Sequence, residues 1–257
     1  MSLSKKNAVH AAIVELNGCR ASENWARGLP RKASLEDGWR LCPRANWLLW
    51  LLDRAGPMAE CFVDQKWVVL ASCAVARVAL PPPSEVKSED MRLYVECLVT
   101  LDLTEECVNA HARTHPYRAE SRDVTYWYRL FPMLGYVDAV RFSMEQLWKA
   151  FTMDSPYTEL VRCVLSAASS IEGITNNVEG LRAARAFVGG PQTAIRAATL
   201  HAARNQSTWT KFRAWFDPEY PVRKFQKDAA DAIRAVVPWP VVEEAWAKYS
   251  ARKEAQT

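Results

Sequence analysis

Glycine is scarce in this chain, nine of 257 residues, and stretches alternating apolar with polar side chains are nearly absent. Sheet proteins draw on both, glycine in tight turns and period-two alternation along strands, so a sheet architecture is not expected. Long apolar runs are missing as well. The longest candidate, residues 62–80, is interrupted by Asp64, Lys66 and Arg77, whereas a membrane helix needs about 20 predominantly apolar residues. The opening "MSLSKKNAVHAAIVELNG" lacks a sustained apolar stretch and a small-residue cleavage site. It reads as an amphipathic helix and not as a signal peptide.

The usual signatures of catalysis are absent too. There is no G-x-S-x-G elbow for a nucleophilic serine and no C-x-x-C pair. Neither of the glycine-rich phosphate loops, G-x-x-x-x-G-K and G-x-G-x-x-G, occurs. Glu105-Glu106 and Glu243-Glu244 are adjacent pairs, and neighbours on a helix point in different directions, so they do not form a converging acid–base pair. A non-enzymatic protein without a cofactor is the expectation. Seven cysteines, Cys19, Cys42, Cys61, Cys73, Cys97, Cys107 and Cys163, make an odd set, several of them inside apolar helical patterns. They read as free thiols acting as small buried hydrophobes in a reducing cytoplasm.

What the chain has in quantity is helical spacing and its punctuation. Over 61–80, Trp67, Leu70, Ala71, Ala74 and Val78 follow the i, i+3, i+4 pattern of one buried stripe, and "PPP" at 81–83 ends the segment. A helix starts after Ser88, with Glu89 and Asp90 at the positive end of its dipole. Thr104 with Glu105 and Glu106 repeats that start signal, and Pro116 predicts a stop near Thr114. Ser155-Pro156 opens another helix, and so does Pro191, which follows Gly189 and Gly190. Pro221 and Pro240 open two final helices, over about 221–237 and 240–254. The expected fold is all-α: a compact single-domain array of about ten helices with no confident strand. Residues 1–40 form an N-terminal helix and irregular segment, and 41–257 a helical domain.

The stretch "NWLLWLLDR", 46–54, poses the sharpest question of placement. Asn46 suits a helix cap, and Asp53-Arg54-Ala55-Gly56-Pro57 is a stop. The apolar run therefore fills about two turns, far too few for a bilayer. A short helix apolar all round belongs in a core.

Three patches, "NWLLWLLDRAG", "LASCAVARVALP" and "AIRAVVPWPVVEEAW", in this order and approximate spacing, resemble a prokaryotic and phage family of helical proteins described as immunity-protein-like domains. The resemblance covers about a fifth of the chain directly. It implies a helical scaffold from bacterial and phage conflict systems, in the cytoplasm of a bacterial host, and supplies no catalytic residues.

Chemistry-bearing residues remain to be placed. Cys107, His111 and His115 stand at i, i+4 and i+8, and the first two could share a zinc ion. The third has drifted about 80° around the helix and precedes Pro116, so no metal site is expected. Charge is distributed unevenly although its net value is only +4. Between residues 181 and 216 stand Arg182, Arg185, Arg196, Arg204, Lys211 and Arg213 without one acidic residue. Trp209, Phe212, Trp215 and Phe216 are interleaved, and Arg223, Lys224 and Lys227 continue the trend. Conversely, Glu85, Glu89, Asp90, Glu96, Asp102, Glu105 and Glu106 face only Lys87 and Arg92 over 85–106.

A basic stretch with aromatics suits phosphate contacts and base stacking. It also suits docking on an acidic protein, and the same pattern arises when the aromatics are core and the arginines merely solvated. "VVPWPVVEEAW" reads as a rigid corner with Trp239 packed on the scaffold, or alternatively as an exposed anchor. The leading expectation is an interaction protein that binds and inhibits a protein effector, either an immunity protein against a toxin or a phage-encoded inhibitor of a defence complex such as an anti-CRISPR. Its partner surface is the acidic 85–106 segment or the basic one carrying Arg182, Arg185, Arg196, Arg204, Lys211, Arg213, Arg223 and Lys224. The alternatives are a nucleic-acid-binding module using 181–227 and a cryptic metal-dependent or hydrolytic enzyme.

Overall fold

A computed structural model describes residues 7–54, 65–114, 139–140, 142–147, 158–169, 199, 217 and 219–255. Among these the chain is all-helical, with no strand. Ten helices follow one another: α1 (Ala8–Glu15), α2 (Arg20–Arg27), α3 (Leu35–Leu41), α4 (Ala45–Arg54), α5 (Gln65–Ala79), α6 (Met91–Thr114), α7 (142–147), α8 (Thr158–Ser169), α9 (Tyr220–Val236) and α10 (Trp239–Glu254). No described helix is long and apolar enough to cross a membrane.

The centre is α5, which packs against α4, α6, α8 and α9. Its stripe differs from the one expected from spacing. Trp67, Leu70 and Val78 are only partly buried, whereas Val68, Val69 and every residue from Ala71 to Ala76 are buried. Small side chains explain the difference. Ala71, Ser72, Cys73, Ala74 and Ala76 let several helices approach α5 at once, so nearly the whole circumference is covered and the larger residues mark its rim. The α8 helix is similar: from Glu159 to Ser169 only Arg162 is exposed. Two hydroxyls buried in this centre are satisfied within their own helices: Ser72 donates to the Val68 carbonyl at 2.8 Å and Ser169 to the Ser166 carbonyl at 3.0 Å.

The α6 helix is one continuous element of 24 residues, and the helix start expected at Thr104 does not occur. The Thr104 hydroxyl donates back to the Thr100 carbonyl at 2.6 Å, and Glu105 is turned to Arg77 of α5, whose Nε lies 2.9 Å away. Side chains that usually mark a helix start are here spent on an internal back-bond and an inter-helix ion pair.

Asn46 is likewise not a cap. The α4 helix begins at Ala45, and the backbone N–H of Asn46 donates to Gln226 Oε1 of α9 at 3.2 Å. A side chain 180 positions away satisfies an orphan donor of the first turn. The core reading of "NWLLWLLDR" holds for one face: Ala45, Leu48, Leu49 and Leu52 are buried in the main cluster. Trp47, Trp50 and Leu51 are half-buried on the other face.

That second face is covered by the N-terminal helices. The α2 and α3 helices fall where an irregular segment was expected. Ser34 caps α3 through a capping box, with its hydroxyl accepting from the Asp37 N–H at 3.1 Å and the Asp37 carboxylate accepting from the Ser34 N–H at 3.0 Å. Replacing Ser34 by Ala should cost about 1 kcal/mol, read as a lower urea midpoint with an unchanged slope. Gly38 lets α3 lie against α1, because a Cβ there would meet Val9 Cγ2 at 2.7 Å.

The C-terminal helices hold this assembly in place. Proline sits in the first turn of both α9 and α10, within one residue of the starts expected at Pro221 and Pro240. Pro238 is extended (φ −72°, ψ 151°) at the N-cap of α10, and Trp239 packs partly buried on the core, as a rigid corner requires. The α9 residue Arg234 reaches back to the end of α3, its Nη1 donating to the carbonyls of Trp39 at 3.2 Å and Cys42 at 2.9 Å. Lys253 of α10 pairs with Glu15 of α1 at 2.9 Å.

Candidate functional site

On α6 the periodicity that builds the core also builds an outward face. Tyr94, Cys97, Thr100, Leu101, Thr104, Cys107 and Val108 are buried. Arg92, Val95, Val99, Asp102, Glu106 and Asn109, spaced by three and four, are all exposed. Two of these are large apolar side chains, Val95 at 47% and Val99 at 40% exposure. The neighbouring α7 helix is held to α6 by a 2.7 Å hydrogen bond between the hydroxyls of Ser143 and Thr100. It adds Phe142, 63% exposed. The result is valine at the N-terminal half of the stripe, carboxylates at the C-terminal half and an exposed aromatic ring on the adjoining helix.

Part of the acidic excess is neutralised from the core side. Arg77 bridges Asp102 at 2.5 Å and Glu105 at 2.9 Å, and the bonds to Glu105, then to Asp102, raise its pKa above the ordinary arginine value. This locks α5 to α6 and fixes the orientation of the stripe. Glu85, Glu89 and Glu106 are exposed and Glu96 is half-buried, so the segment keeps its acidic character.

Of the basic residues expected at a partner surface, Arg182, Arg185, Arg196, Arg204, Lys211 and Arg213 lie outside the described residues. Arg223 and Lys224 are on the outer face of α9, opposite its buried stripe of Phe225, Ala229 and Ile233. Both already have acidic neighbours: Arg223 pairs with Asp217 and Glu219, and Lys224 with Asp228 at 2.6 Å. The α9 end of the basic stretch is thus a balanced surface. Thr199, inside the basic stretch, accepts a 2.8 Å hydrogen bond from Gln226 Nε2, which anchors that point to α9.

Cys107, the first member of the weighed metal trio, faces the core. Burial pushes its thiol up to about 11, and a metal ligand must be a thiolate. The side chain of His111 and all of His115 lie outside the described residues. Among the described residues no group of three His, Cys, Asp or Glu is placed to hold a metal ion.

Sequence reasoning missed the α6 stripe because valines at 95 and 99 look like any core positions at helical spacing. The usable signal was the acidic residues 102 and 106 in phase with them. No family model, curated protein or solved structure matches this chain.

Proposed function

We propose that this chain is a non-enzymatic interaction protein that binds and inhibits a basic protein effector through the outward face of α6. The observation carrying this reading is the exposed Val95–Val99 pair in phase with Asp102 and Glu106, beside Phe142. Apolar anchors inside a charged surround suit a protein interface, where the anchors supply affinity and the charges supply steering and selectivity. With Asp102 and Glu105 shared with Arg77, the five remaining carboxylates over 85–106 still outnumber Lys87 and Arg92 and complement a cationic surface such as the nucleic-acid channel of a nuclease. An inhibitor built this way presents a row of negative charge where a phosphate backbone would lie. The likeness of the three tryptophan- and alanine-bearing patches to immunity-protein-like domains agrees with this reading. It extends to an immunity protein against a toxin or a phage-borne inhibitor of a defence complex, at work in the bacterial cytoplasm.

The test begins with tagged protein recovered from its host or an infected culture, with and without nuclease treatment, and mass spectrometry of what remains bound. The partner so identified is then titrated against the parent and against the Val95→Ala/Val99→Ala variant. Truncating two central anchors should weaken binding at least tenfold, since such positions contribute about 2 kcal/mol or more, while thermal stability changes little because both side chains are already partly exposed, at 47% and 40%. Undiminished affinity in the variant overturns the α6 assignment. Binding lost with the nucleic acid instead moves the function to the basic 181–227 stretch.

A further inference from the structure

Six of the eleven tryptophans of this chain, Trp25, Trp39, Trp47, Trp50, Trp239 and Trp246, line a single cavity of ≈ 90 Å³ between α1, α2 and α3 on one side and α4 and α10 on the other. None of its lining residues belongs to α6, so it is independent of the face argued above. We propose that this cavity is a binding site for a small uncharged aromatic molecule about the size of indole.

The lining determines the class of ligand. No charged side chain contributes to it, and beyond the tryptophan N–H groups Ser22 is its one polar side chain. The Ser22 hydroxyl is already committed, donating to the Cys19 carbonyl at 2.7 Å. Water against these apolar walls finds few of the two to four polar partners that hold it stably, and displacing poorly held water by an apolar guest is favourable. An ion entering here would lose its hydration without compensation. The volume is of the order of cavities that accept one aromatic ring. Flat indole walls favour a flat guest, through offset or edge-to-face packing.

The walls are held in place before a ligand arrives. Trp25 and Trp47 sit with ring centroids 5.7 Å apart, tilted by 47°, and the Arg44 guanidinium lies 5.1 Å from the Trp47 ring centroid. The Trp246 ring packs 5.4 Å from Tyr249. The two sides of the cavity are joined outside it, by Lys253 to Glu15 and by Arg234 to the end of α3. A guest therefore finds a formed pocket, and its free energy of binding adds to the docking of the N-terminal helices.

The experiment is a titration of the full chain with indole, followed by calorimetry and by the side-chain N–H resonances of the tryptophans. A dissociation constant of about 0.1 mM is expected for a guest of nine heavy atoms, together with a rise in Tm as indole is added and shifts confined to the six lining tryptophans. Free tryptophan, which carries the same ring and two charges, should bind at least tenfold more weakly. Two filling variants on different helices, Ala12→Leu of α1 and Ala245→Leu of α10, should each abolish indole binding in protein that retains its fold. Should either fail to fold, the resonance map of the parent still decides. Shifts on tryptophans outside the six, or equal binding of indole and free tryptophan, overturn the proposal. So does a cavity that ignores indole but accepts the tryptophan of a partner peptide, because it would then be a docking pocket.

Discussion

Raising the pH from 8 to 11 should unfold this protein, with a loss of stability steeper than ordinary lysine and tyrosine titration produces. Four thiols are responsible. Burial pushes Cys42 and Cys107 up to about 11 and Cys97 to about 12. Burial, reinforced by the Glu105 carboxylate, raises Cys73 well above the ordinary value. In the unfolded chain these thiols release their protons near 9. Between that value and the folded ones the native state holds more protons, so rising pH favours the unfolded state. The stabilisation is complete below about pH 9 and is lost as pH climbs through 11 and 12.

Each such thiol contributes up to about 1.4 kcal/mol per pH unit in this window, so the four together approach about 6 kcal/mol per unit. Two units of that slope remove about 11 kcal/mol, enough to unfold all but the most stable of domains, whose total stability is roughly 5–15 kcal/mol. Urea denaturation at intervals from pH 7 to 10.5 measures it directly. The Cys97→Ala/Cys107→Ala variant should show about half the slope whatever its stability at pH 7, and an unchanged slope would remove these thiols as the cause. At neutral pH the same burial predicts slow alkylation of all four. Cys19 is exposed, and its pKa is lowered chiefly by the Ser22 hydroxyl, so it should react ahead of them.

Replacing Leu49 or Leu52 by Ala should cost about 2–5 kcal/mol each, the largest effect expected of any single substitution in α4. Both side chains are 0% exposed in the main core, which α4 enters beside α5 and α9. The loss combines forfeited burial with the void left behind, and that void relaxes little because α5 is already enclosed by four helices. Leu51, one position away on the half-buried face, should cost less. The two core positions stand one helical turn apart and share neighbours, so the double variant should depart from additivity. Urea midpoints with an unchanged slope would identify the effect as one on the native core, and equal costs at 49, 51 and 52 would contradict the one-sided burial of this helix.

Much of this architecture was legible in the residues themselves. Pro221 and Pro240 act locally, through backbone geometry, and the helices begin within one residue of where they say; the Ser34 capping box acts as locally, yet it stands where an irregular segment was expected. Side chains whose partner comes from another helix misled. Thr104 and Glu105 carry a helix-start signature, but the buried Thr100 carbonyl and Arg77 claim them. Asn46 has a capping side chain, but its turn is completed by Gln226. The α5 stripe was misplaced because small residues record how closely helices approach and not which way a helix faces. The tryptophan cavity was hidden for a related reason: its six rings come from four helices spread over more than 200 positions, and no spacing rule gathers them.

The long reach of Arg234, Gln226 and Lys253 also bears on how the chain is made. The end of α3, the first turn of α4 and Glu15 of α1 all wait for partners in the last 32 residues. At a synthesis rate of about 5–20 residues per second, the 180 positions between Asn46 and Gln226 take roughly 10–40 s to emerge. Throughout that interval α4 has only α1 to α3, and then α5, to pack against, while α9 and α10, which close the core and the tryptophan cavity beside it, are still missing. A chain cut short before residue 226 therefore loses the contacts that complete its beginning, and the nascent protein presents a partly covered α4 to chaperones until α9 closes over it.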